Sequence, residues 1–503
     1  MKALTSGARA RREKTKHEKA RVNLGPSHVK LDSKSFEEAV GSETLPSGWT
    51  RLAMGDLGRW IGGGTPSKAN PRFWTDGKIP WVSPKDMKVA FIDDAEDHIT
   101  EDAVAQSATS VIEAGSVLIV VRSGILRHTL PVAVTRRQVA LNQDLKGLKP
   151  RENVDAAYLA LALKAFERDI LHTCTKTGTT VQSLELPVFL RFQIPVAPLA
   201  EQRRIVEEIE KQFTRLDAGV AALRRVQANL KRYRAAVLKA ACDGRLVLTE
   251  ADLDATERGT PAFEPGEELL ARILTERRYD SGRRGKYKEP TAPNVASLPQ
   301  LPDGWTWATA EQLNLSTRPC AYGVLQPGEN VLGGVPLVRV GDISNGRVDT
   351  ANLKRISPAI AAQYPRTHLR GGELAITLVG AIGRTAIIPE SLAGGNTARA
   401  VGIIPLSGSV NAHWVEIWFR NPAKVAELDS KSHEVARKTL NLEDVRVVSI
   451  ALPPLAEQTR IVAEIERRLS VVNELEAVVD ANLQRASRLR QSILQKAFTG
   501  TLV

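Results

Sequence analysis

The sequence predicts an α+β fold in which two similar mixed α/β domains are joined by two long helices, packed as an antiparallel coiled coil with pseudo-twofold symmetry. Three observations support this prediction: a long internal repeat, strand-like segments in each half, and one heptad pattern in each half. The repeat is clearest in PLAEQRRIVEEIE, residues 198–210, which returns 256 residues later as PLAEQTRIVAEIE, residues 454–466. This period is too long for a solenoid and indicates duplication of a domain plus a long helix.

Composition narrows the class of protein. The chain has 503 residues, 43% hydrophobic and 25% charged, so each half is long enough to bury its own core. Its net charge of +12 favours a polyanionic partner, most often nucleic acid, although a basic charge without function is the alternative. The three cysteines lack metal-like spacing, which is typical of unpaired thiols in a reducing compartment. No apolar run is long enough to span a membrane and no apolar stretch follows the basic N-terminus, so we expect a cytoplasmic protein without membrane contact.

Changes in composition and residue pattern along the chain predict six segments. They are a basic N-terminal arm (1–44), a first mixed domain (45–197), a long helix (198–243), a linker with a short helix and a basic segment (244–300), a second mixed domain (301–453) and a second long helix (454–503). In the first mixed domain, Gly and Pro separate short apolar runs such as residues 116–121, which favours strands. In the linker, residues 267–278 favour a helix and residues 281–290 an exposed basic stretch.

The two long helices are predicted from a heptad pattern. Apolar residues recur every seven positions with a second set between them, the a/d pattern of a coiled coil. The predicted seam is Ile209, Phe213, Leu216, Val220, Leu223, Leu230 and Val237 in the first helix, and Ile465, Leu469, Val472, Val479, Leu483 and Ile493 in the second. Polar residues such as Gln227, Arg234 and Arg490 interrupt it. A helix of about 42 residues would be roughly 63 Å long, and Gly244 and Gly500 are typical helix-ending glycines.

The sequence contains no convincing catalytic signature. The glycine-rich residues 62–66 lack the Lys-Ser/Thr of a phosphate-binding loop, and we interpret them as a turn. Residues 70–73 differ from an adenine-methyltransferase loop at the second proline, and no S-adenosylmethionine motif lies nearby. The histidines are scattered, so no metal site is predicted. We therefore expect a protein that binds and does not catalyse.

Candidate DNA-binding residues are the Arg, Lys and Gln side chains next to predicted turns, because these side chains hold phosphates and read base edges. They are Lys68, Arg72, Lys85, Lys88, Arg122, Arg127, Lys176 and Gln182 in the first mixed domain, and Arg318, Arg339, Arg347, Arg384, Arg399, Lys431, Arg437 and Lys438 in the second. For each one the alternative is an ordinary solvated charge. The repeats agree along the helices but differ between residues 176–184 and 432–440. Similar scaffolds with dissimilar readers would let one chain recognise two different half-sites.

This order and period of elements resembles the DNA specificity (S) subunit of a Type I restriction–modification system. The resemblance covers most of the chain from about Leu45 and rests mainly on the doubled PLAEQxRIVxEIE stretch. Supporting motifs are Gly48-Trp49 and Gly304-Trp305, Ile79-Pro80-Trp81, and Asn142-Gln143-Asp144-Leu145-Lys146. It implies two target-recognition domains that each bind one part of a split DNA target, and conserved helices that act as a ruler for the gap between the parts.

The resemblance also implies partners. Two modification (methyltransferase) subunits would carry S-adenosylmethionine and methylate adenine in double-stranded DNA. Restriction subunits, when present, would add translocation and cleavage that depend on ATP and Mg. This chain itself would bind no cofactor and would not be an enzyme. Two alternatives remain open: a fused methyltransferase or nuclease with an unrecognised site, and a coiled-coil scaffold with non-specific DNA affinity.

Overall fold

The computed structural model describes residues 45–176, 181–256, 263–282, 287–435 and 437–502. The predicted arm at residues 1–44 lies outside the described residues, as does part of the predicted basic stretch in the linker. The chain forms two compact units. The first runs to Gln212 and resumes at Gln491, and the second is Phe213–Arg490. Each long helix therefore contributes to both units.

The first mixed domain belongs to the first unit and combines short strands with short helices. Its strands are β1 (Thr50–Ala53), β2 (Gly58–Gly62), β3 (Ile79–Val82), β4 (Phe91–Ile92), β5 (Asp97–Ile99), β6 (Ser110–Ile112), β7 (Val117–Val120), β8 (Arg122–Ser123), β9 (Val132–Thr135), β10 (Val139–Leu141), β11 (Leu145–Pro150), β12 (Thr175–Lys176), β13 (Gln182–Leu184) and β14 (Gln193–Val196). Its helices are α1 (Glu101–Gln106), α2 (Ala156–Ala165), α3 (Glu167–Cys174) and α4 (Leu186–Arg191).

The strands of this domain form several small sheets. Their orders are β5-β3-β10-β6, β2-β11-β7-β9-β4, β12-β13-β8 and β1-β14. The neighbours β3 and β10 are parallel, as are β4 and β9, whereas β7 and β9 are antiparallel. Every residue of β7 and β9 is buried. Their apolar sequences, VLIV and VAVT, suit strands covered on both faces, and the predicted run at residues 116–121 contains the middle strand of the five-stranded sheet.

After the first long helix, α5 (Leu199–Cys242), the chain forms a linker and the second mixed domain, all within the second unit. The linker helices are α6 (Glu250–Thr256) and α7 (Gly266–Gly282), and α7 covers the predicted helix at residues 267–278. The strands are β15 (Thr306–Thr309), β16 (Ala321–Tyr322), β17 (Val335–Val338), β18 (Ile343–Ser344), β19 (Arg347–Val348), β20 (Lys354–Ile356), β21 (Leu374–Thr377), β22 (Thr385–Ile387), β23 (Asn396–Thr397), β24 (Val401–Ile404), β25 (His433–Val435), β26 (Arg437–Thr439) and β27 (Ser449–Leu452).

The helices of the second mixed domain are α8 (Ala310–Leu313), α9 (Pro358–Ala362), α10 (Ala412–Arg420), α11 (Pro422–Ser430) and α12 (Leu442–Arg446). Its sheets have the orders β16-β24-β21-β22, β20-β17-β23, β15-β27, β18-β19 and β25-β26. The second long helix, α13 (Leu455–Phe498), follows. Two mixed domains and two long helices agree with the predicted α+β class.

Both long helices have 44 residues, so each is roughly 66 Å long. Both end in the same way at a glycine with positive φ, +68° at Gly244 and +73° at Gly500. The amide of the next residue then donates to a carbonyl five residues back: Arg245 to Ala240 (2.8 Å) and Thr501 to Lys496 (3.0 Å). This is the Schellman geometry, for which glycine is favoured because it has no Cβ.

The predicted seam residues are buried or half-buried, in contrast to the residues around them. In the second unit, Val472 and Val479 are buried, whereas their neighbours Val471 and Val478 are more than half exposed. In the first unit, Ile209 and Ile493 are buried. The heptad spacing therefore corresponds to one inward-facing stripe on each helix.

Within the second unit the two helices run antiparallel. Polar side chains join them at three levels: Asp217 with Arg490 (3.0 Å), Gln227 with Asp480 (3.0 Å) and Arg234 with Glu476 (2.9 Å). The residue number of the partner on α13 falls as the number on α5 rises, which confirms the antiparallel prediction. The residues that interrupt the apolar pattern thus have partners on the facing helix, and such pairs fix the register of a coiled coil.

The repeated Gln of the PLAEQ stretch joins helix α5 to the first mixed domain. Gln202 is fully buried; its Oε1 accepts a hydrogen bond from the Asp155 amide at 2.8 Å. Its Nε2 donates to the carbonyl oxygens of Asn153 at 3.0 Å and Ala197 at 2.8 Å. One side chain therefore satisfies one buried and two partly buried backbone groups at the start of α2 and α5.

The second mixed domain has the same arrangement. Gln458 Oε1 accepts from the Asn411 amide at 2.9 Å, and Gln458 Nε2 donates to the Pro453 carbonyl at 2.8 Å. Because backbone groups buried without partners are costly, this requirement explains why the repeat retains Gln at both positions.

Each unit also contains the C-terminal end of the other long helix. In the first unit, the ring of Phe498 lies 5.0 Å from that of Tyr158 and 6.3 Å from that of Phe166. In the second unit, Val237 and Leu238 belong to the same buried cluster as the second domain. Each mixed domain is thus packed against the start of one long helix and the end of the other.

We predict that Gln202→Ala lowers the free energy of unfolding by about 1–3 kcal/mol, because it leaves the buried Ala197 carbonyl and two partly buried backbone groups without this partner. Chemical denaturation measures the change. The neighbouring Arg203→Ala is the control, since Arg203 is exposed and differs between the repeats. Equal stability of the two variants would contradict the role assigned to Gln202.

A second prediction concerns the register of the helices. Arg234→Glu places two carboxylates together at a site where the side chains are 16% and 27% exposed, so we expect a loss of about 1–3 kcal/mol. The double variant Arg234→Glu/Glu476→Arg should recover at least half of this loss in denaturation experiments. Lys231→Glu, at an exposed position of the same helix, is the control for charge reversal alone. No recovery in the double variant would argue against this pairing.

Candidate nucleic-acid interface

A short β-hairpin is attached at the same place in both mixed domains. In the first, β12 and β13 form the hairpin, and the Leu184 amide donates to the Val121 carbonyl at 2.8 Å. In the second, β25 and β26 form it, and the Leu440 amide donates to the Leu378 carbonyl at 2.8 Å. Residues 177–180 and 436 lie outside the described residues. The same anchor therefore carries two hairpins of different sequence.

The loop before β11 lies beside this anchor and has a counterpart before β24. Four backbone hydrogen bonds define the two loops: Asn142 N to Val82 O (2.9 Å) and Val121 N to Asp144 O (2.8 Å) in the first domain, Ala398 N to Val338 O (2.9 Å) and Leu378 N to Ala400 O (2.8 Å) in the second. Gln143 and Arg399 consequently occupy the same position in the two domains. Both side chains are exposed.

In the first domain, a cavity of about 320 Å³ lies between the hairpin and the loop. Arg122, Gln143, Lys146 and Ser183 line it together with Val121, Leu184 and Leu186. Arg122 Nε donates to Asp144 Oδ1 at 2.6 Å, which fixes the guanidinium group at this site. Cationic and amide donors around one cavity are the groups that hold phosphates and read bases.

Glycines allow the chain to pass under the loop. A Cβ on Gly63 would lie 2.1 Å from the Asn142 carbonyl oxygen, and one on Gly64 would lie 2.4 Å from the backbone of Ala108. The glycine-rich residues 62–66 thus serve close backbone packing: Gly62 ends β2 and residues 63–66 form an irregular segment without a turn, so the interpretation as a turn was wrong.

The sequence-predicted residues of the first domain lie in three regions. Lys68 and Arg72 are exposed in the segment between β2 and β3, and Lys88 is exposed after β3. Lys85, also after β3, pairs with Glu96 at 3.1 Å and Asp97 at 3.0 Å. Arg122, Lys176 and Gln182 belong to the small sheet β12-β13-β8, and Arg127 ends the 3-10 segment that follows β8. The structure brings together only these last four.

In the second domain, two predicted arginines are held by the domain itself. The Arg318 side chain is 12% exposed, pairs with Glu373 at 2.7 Å and donates to the His368 carbonyl at 2.8 Å. Arg339 pairs with Asp342 at 2.8 Å, and this hydrogen-bonded ion pair raises the pKa of the guanidinium above its usual value. Both contacts organise the local backbone and engage these two side chains within the domain.

The other predicted residues of the second domain are more open. Arg347, Arg384 and Arg399 are exposed. Lys431 pairs with Glu427 and Lys438 with Asp429. The side chain of Arg437 lies outside the described part of the structure. Only Arg399, Lys438 and the backbone of Arg437 lie on the hairpin or on the loop beside it.

Sequence reasoning missed Gln143 and Lys146 as candidate binding residues. Gln143 lies beside neither a glycine nor a proline, whereas Lys146 directly precedes Gly147, so a turn signal was present for Lys146 and absent for Gln143. The offset of 256 residues places Gln143 opposite Arg399, so a comparison of polar residues at equivalent repeat positions would have found it.

The described residues show no cluster of His, Cys, Asp and Glu suited to a metal ion. Among the described helices, none is both long and apolar enough to cross a membrane. The three cysteines are free and buried. Burial raises the pKa of the Cys242 thiol to about 12 and raises the pKa values of Cys174 and Cys320 as well. These thiols are therefore poor nucleophiles.

Residues 46–221 match the family model described as Type I restriction modification DNA specificity domain. Over these residues the chain is similar to that specificity domain. This match confirms the resemblance that the repeated motifs predicted.

Two relatives are similar to this chain, and the first matches more residues of it than the family model does. The EcoBI specificity subunit of a Type I restriction enzyme from Escherichia coli is 34% identical over 65% of this chain and 62% of its own length. The EcoR124I/EcoR124II specificity subunit from Escherichia coli is 42% identical over 36% of this chain and 45% of its own length. The chain thus spans less than two thirds of either relative.

A solved structure supports the fold. A chain from a study of complex assembly and conformational transition of the type I R-M system superposes on 91% of this chain and 100% of its own length. The TM-score is 0.59 and the sequence identity is 19%. The two chains share a fold that includes both mixed domains and both long helices.

We predict that N-ethylmaleimide at pH 8 labels none of the three cysteines in the folded protein and all three in 6 M urea, because burial both shields the thiols and keeps them protonated. Intact-mass measurement counts the labels. Rapid labelling of the folded protein would contradict the burial described here.

Proposed function

We propose that this chain is a DNA specificity subunit of a Type I restriction–modification system, a non-catalytic protein that recognises a split double-stranded DNA target. The observation that carries the proposal is the shared anchor in the two mixed domains, which presents different polar side chains at equivalent positions. Two similar scaffolds with different readers are suited to two different half-sites. The specificity-domain match over residues 46–221 supports the same assignment.

The chemistry of the surface supports binding to DNA. Exposed cations such as Lys68, Lys88 and Arg384 would hold phosphates, which supplies affinity without sequence preference. Side chains on the hairpins and on the adjacent loops would contact base edges. Two half-sites bound by one molecule gain affinity because the second contact forms at a high effective concentration.

Partners would carry out the chemistry. Two modification subunits would bring S-adenosylmethionine and methylate an adenine flipped out of the duplex, while this chain would act as the reader. Restriction subunits, if present, would use ATP and Mg for translocation and cleavage. We assign no cofactor to this chain and expect it to act in the cytoplasm, where it would meet DNA.

The segments have distinct roles in this proposal. Residues 45–197 and 301–453 would be the two target-recognition domains, and residues 198–243 and 454–503 the helices that set the spacer between half-sites. Residues 244–300 would connect the halves.

Mapping methylated adenines tests the proposal. The chain is expressed with its methyltransferase partner in a host that has no modification systems of its own, and the genome is sequenced by a method that detects N6-methyladenine. We expect one split motif that disappears when this chain is omitted. Methylation without sequence preference, or unchanged without this chain, would favour a scaffold role and contradict the proposal.

A prediction about the spacer follows from the antiparallel seam. One extra heptad in each helix, made by repeating residues 217–223 and 477–483, keeps the seam intact and lengthens the pair by roughly 10 Å. We expect the spacer in the methylated motif to grow by roughly three base pairs, at about 3.4 Å each, with both half-sites unchanged. Seven residues inserted after the fully exposed Leu332 are the control and should leave the spacer unchanged. A constant spacer in the heptad variant would show that the helices do not set it.

A further inference from the structure

Gln143 and Arg399 differ from the other polar residues near the hairpins because they hold the same position in both domains and remain open to solvent. The residues just before them, Asn142 and Ala398, make the same backbone hydrogen bond to the end of a buried strand. Each side chain therefore projects from a loop whose backbone is fixed. A side chain that recognises a base needs a rigid backbone, since its hydrogen bonds to the base depend on its orientation.

Further hydrogen bonds hold each loop. In the first domain, Asn142 Oδ1 accepts from the Asp144 amide at 2.8 Å. Asn142 Nδ2 donates to Thr65 Oγ1 at 3.4 Å, and the Thr65 hydroxyl in turn donates to Gln143 Oε1, so the amide of Gln143 is oriented. In the second domain, the amide of Arg399 donates to the Val324 carbonyl at 2.8 Å.

Other pairs of residues at equivalent positions are less suited to base recognition. Arg122 corresponds to Val379, so only one domain has a polar group there, and its guanidinium is paired with Asp144. Gln182 corresponds to Lys438, whose ammonium is paired with Asp429. Arg399, by contrast, forms no ion pair with any residue in the described part of the chain, and its five N–H donors are available for a ligand.

The two side chains have different preferences among bases. Arg donates two hydrogen bonds to O6 and N7 of guanine, whereas Gln pairs with N6 and N7 of adenine through its carbonyl and amide groups. A bidentate pair of either kind discriminates against the wrong base by roughly tenfold or more.

We propose that Gln143 and Arg399 hold the same base-reading position in the two recognition domains, with Gln143 reading an adenine in one half-site and Arg399 a guanine in the other. This assignment rests on the proposed function and adds to it the identity of one reader and one base in each half-site.

The test exchanges the two side chains. Arg399→Gln and Gln143→Arg are expressed separately with the methyltransferase partner, and the methylated motif is mapped for each. Arg399→Gln should change one guanine of one half-site to adenine, and Gln143→Arg should change one adenine of the other half-site to guanine. In each case we expect the preference at that base pair to shift roughly tenfold while the remaining half-site is unaffected.

Matched controls carry the same chemical change at exposed positions away from the hairpins. They are Arg370→Gln in the second domain and Gln138→Arg in the first. Both should leave the motif unchanged. Arg399→Ala is a further variant that needs no new contact, and it should relax the preference at one base pair only. Thermal denaturation of each variant establishes that it folds as the parent does.

Two results would overturn the inference. If the Arg399 variants lower methylation uniformly with an unchanged motif, Arg399 contacts a phosphate. If they leave both the motif and the extent of methylation unchanged, Arg399 does not contribute to DNA recognition. In both cases a split motif from the parent chain still upholds the proposed function, whereas a parent chain that directs no motif would overturn the function itself.

Discussion

The antiparallel pairing of the two long helices is the constraint on which the rest of this structure depends. A single exposed helix of 44 residues with one apolar stripe has no core of its own, so the stripe is stabilised by packing against a second helix. The seam also contains polar residues, which cost free energy unless they find partners. Gln227 and Arg234 have partners on α13 in the observed register. The polar residues therefore select this register, whereas the apolar residues supply the stability of the pair.

The same constraint explains how the two mixed domains come to be similar. Each is packed against the beginning of one helix and the end of the other, and a buried glutamine from the helix start satisfies the backbone of the domain. Gln202 and Gln458 are repeated because their contacts are repeated. The hairpins and loops face no such requirement, and residues at equivalent positions there, such as Gln143 and Arg399, are free to differ.

Much of this architecture could be predicted from sequence, for physical reasons. A heptad pattern and a helix-ending glycine depend on local periodicity and backbone geometry, which the sequence displays directly. Ion pairs between residues far apart in the sequence leave no such local pattern. Arg318 looks like a free cation next to Pro319, but the fold brings Glu373 to it from 55 residues away. Gln143 lies on the loop beside the hairpin anchor because of hydrogen bonds to Val82 and Val121, which no local pattern reveals.

Chemical crosslinking tests the antiparallel register most directly. In the variant Asp217→Cys/Arg490→Cys the new thiols replace an exposed ion pair, so folding should be little affected, and the native cysteines are buried. A short bismaleimide should join these two positions within one chain, as detected by mass spectrometry of the linked peptides. The variant Asp217→Cys/Asn473→Cys should give no such product, since Asn473 lies opposite Arg234. Crosslinking of residue 217 to residue 473 and not to residue 490 would contradict the antiparallel arrangement.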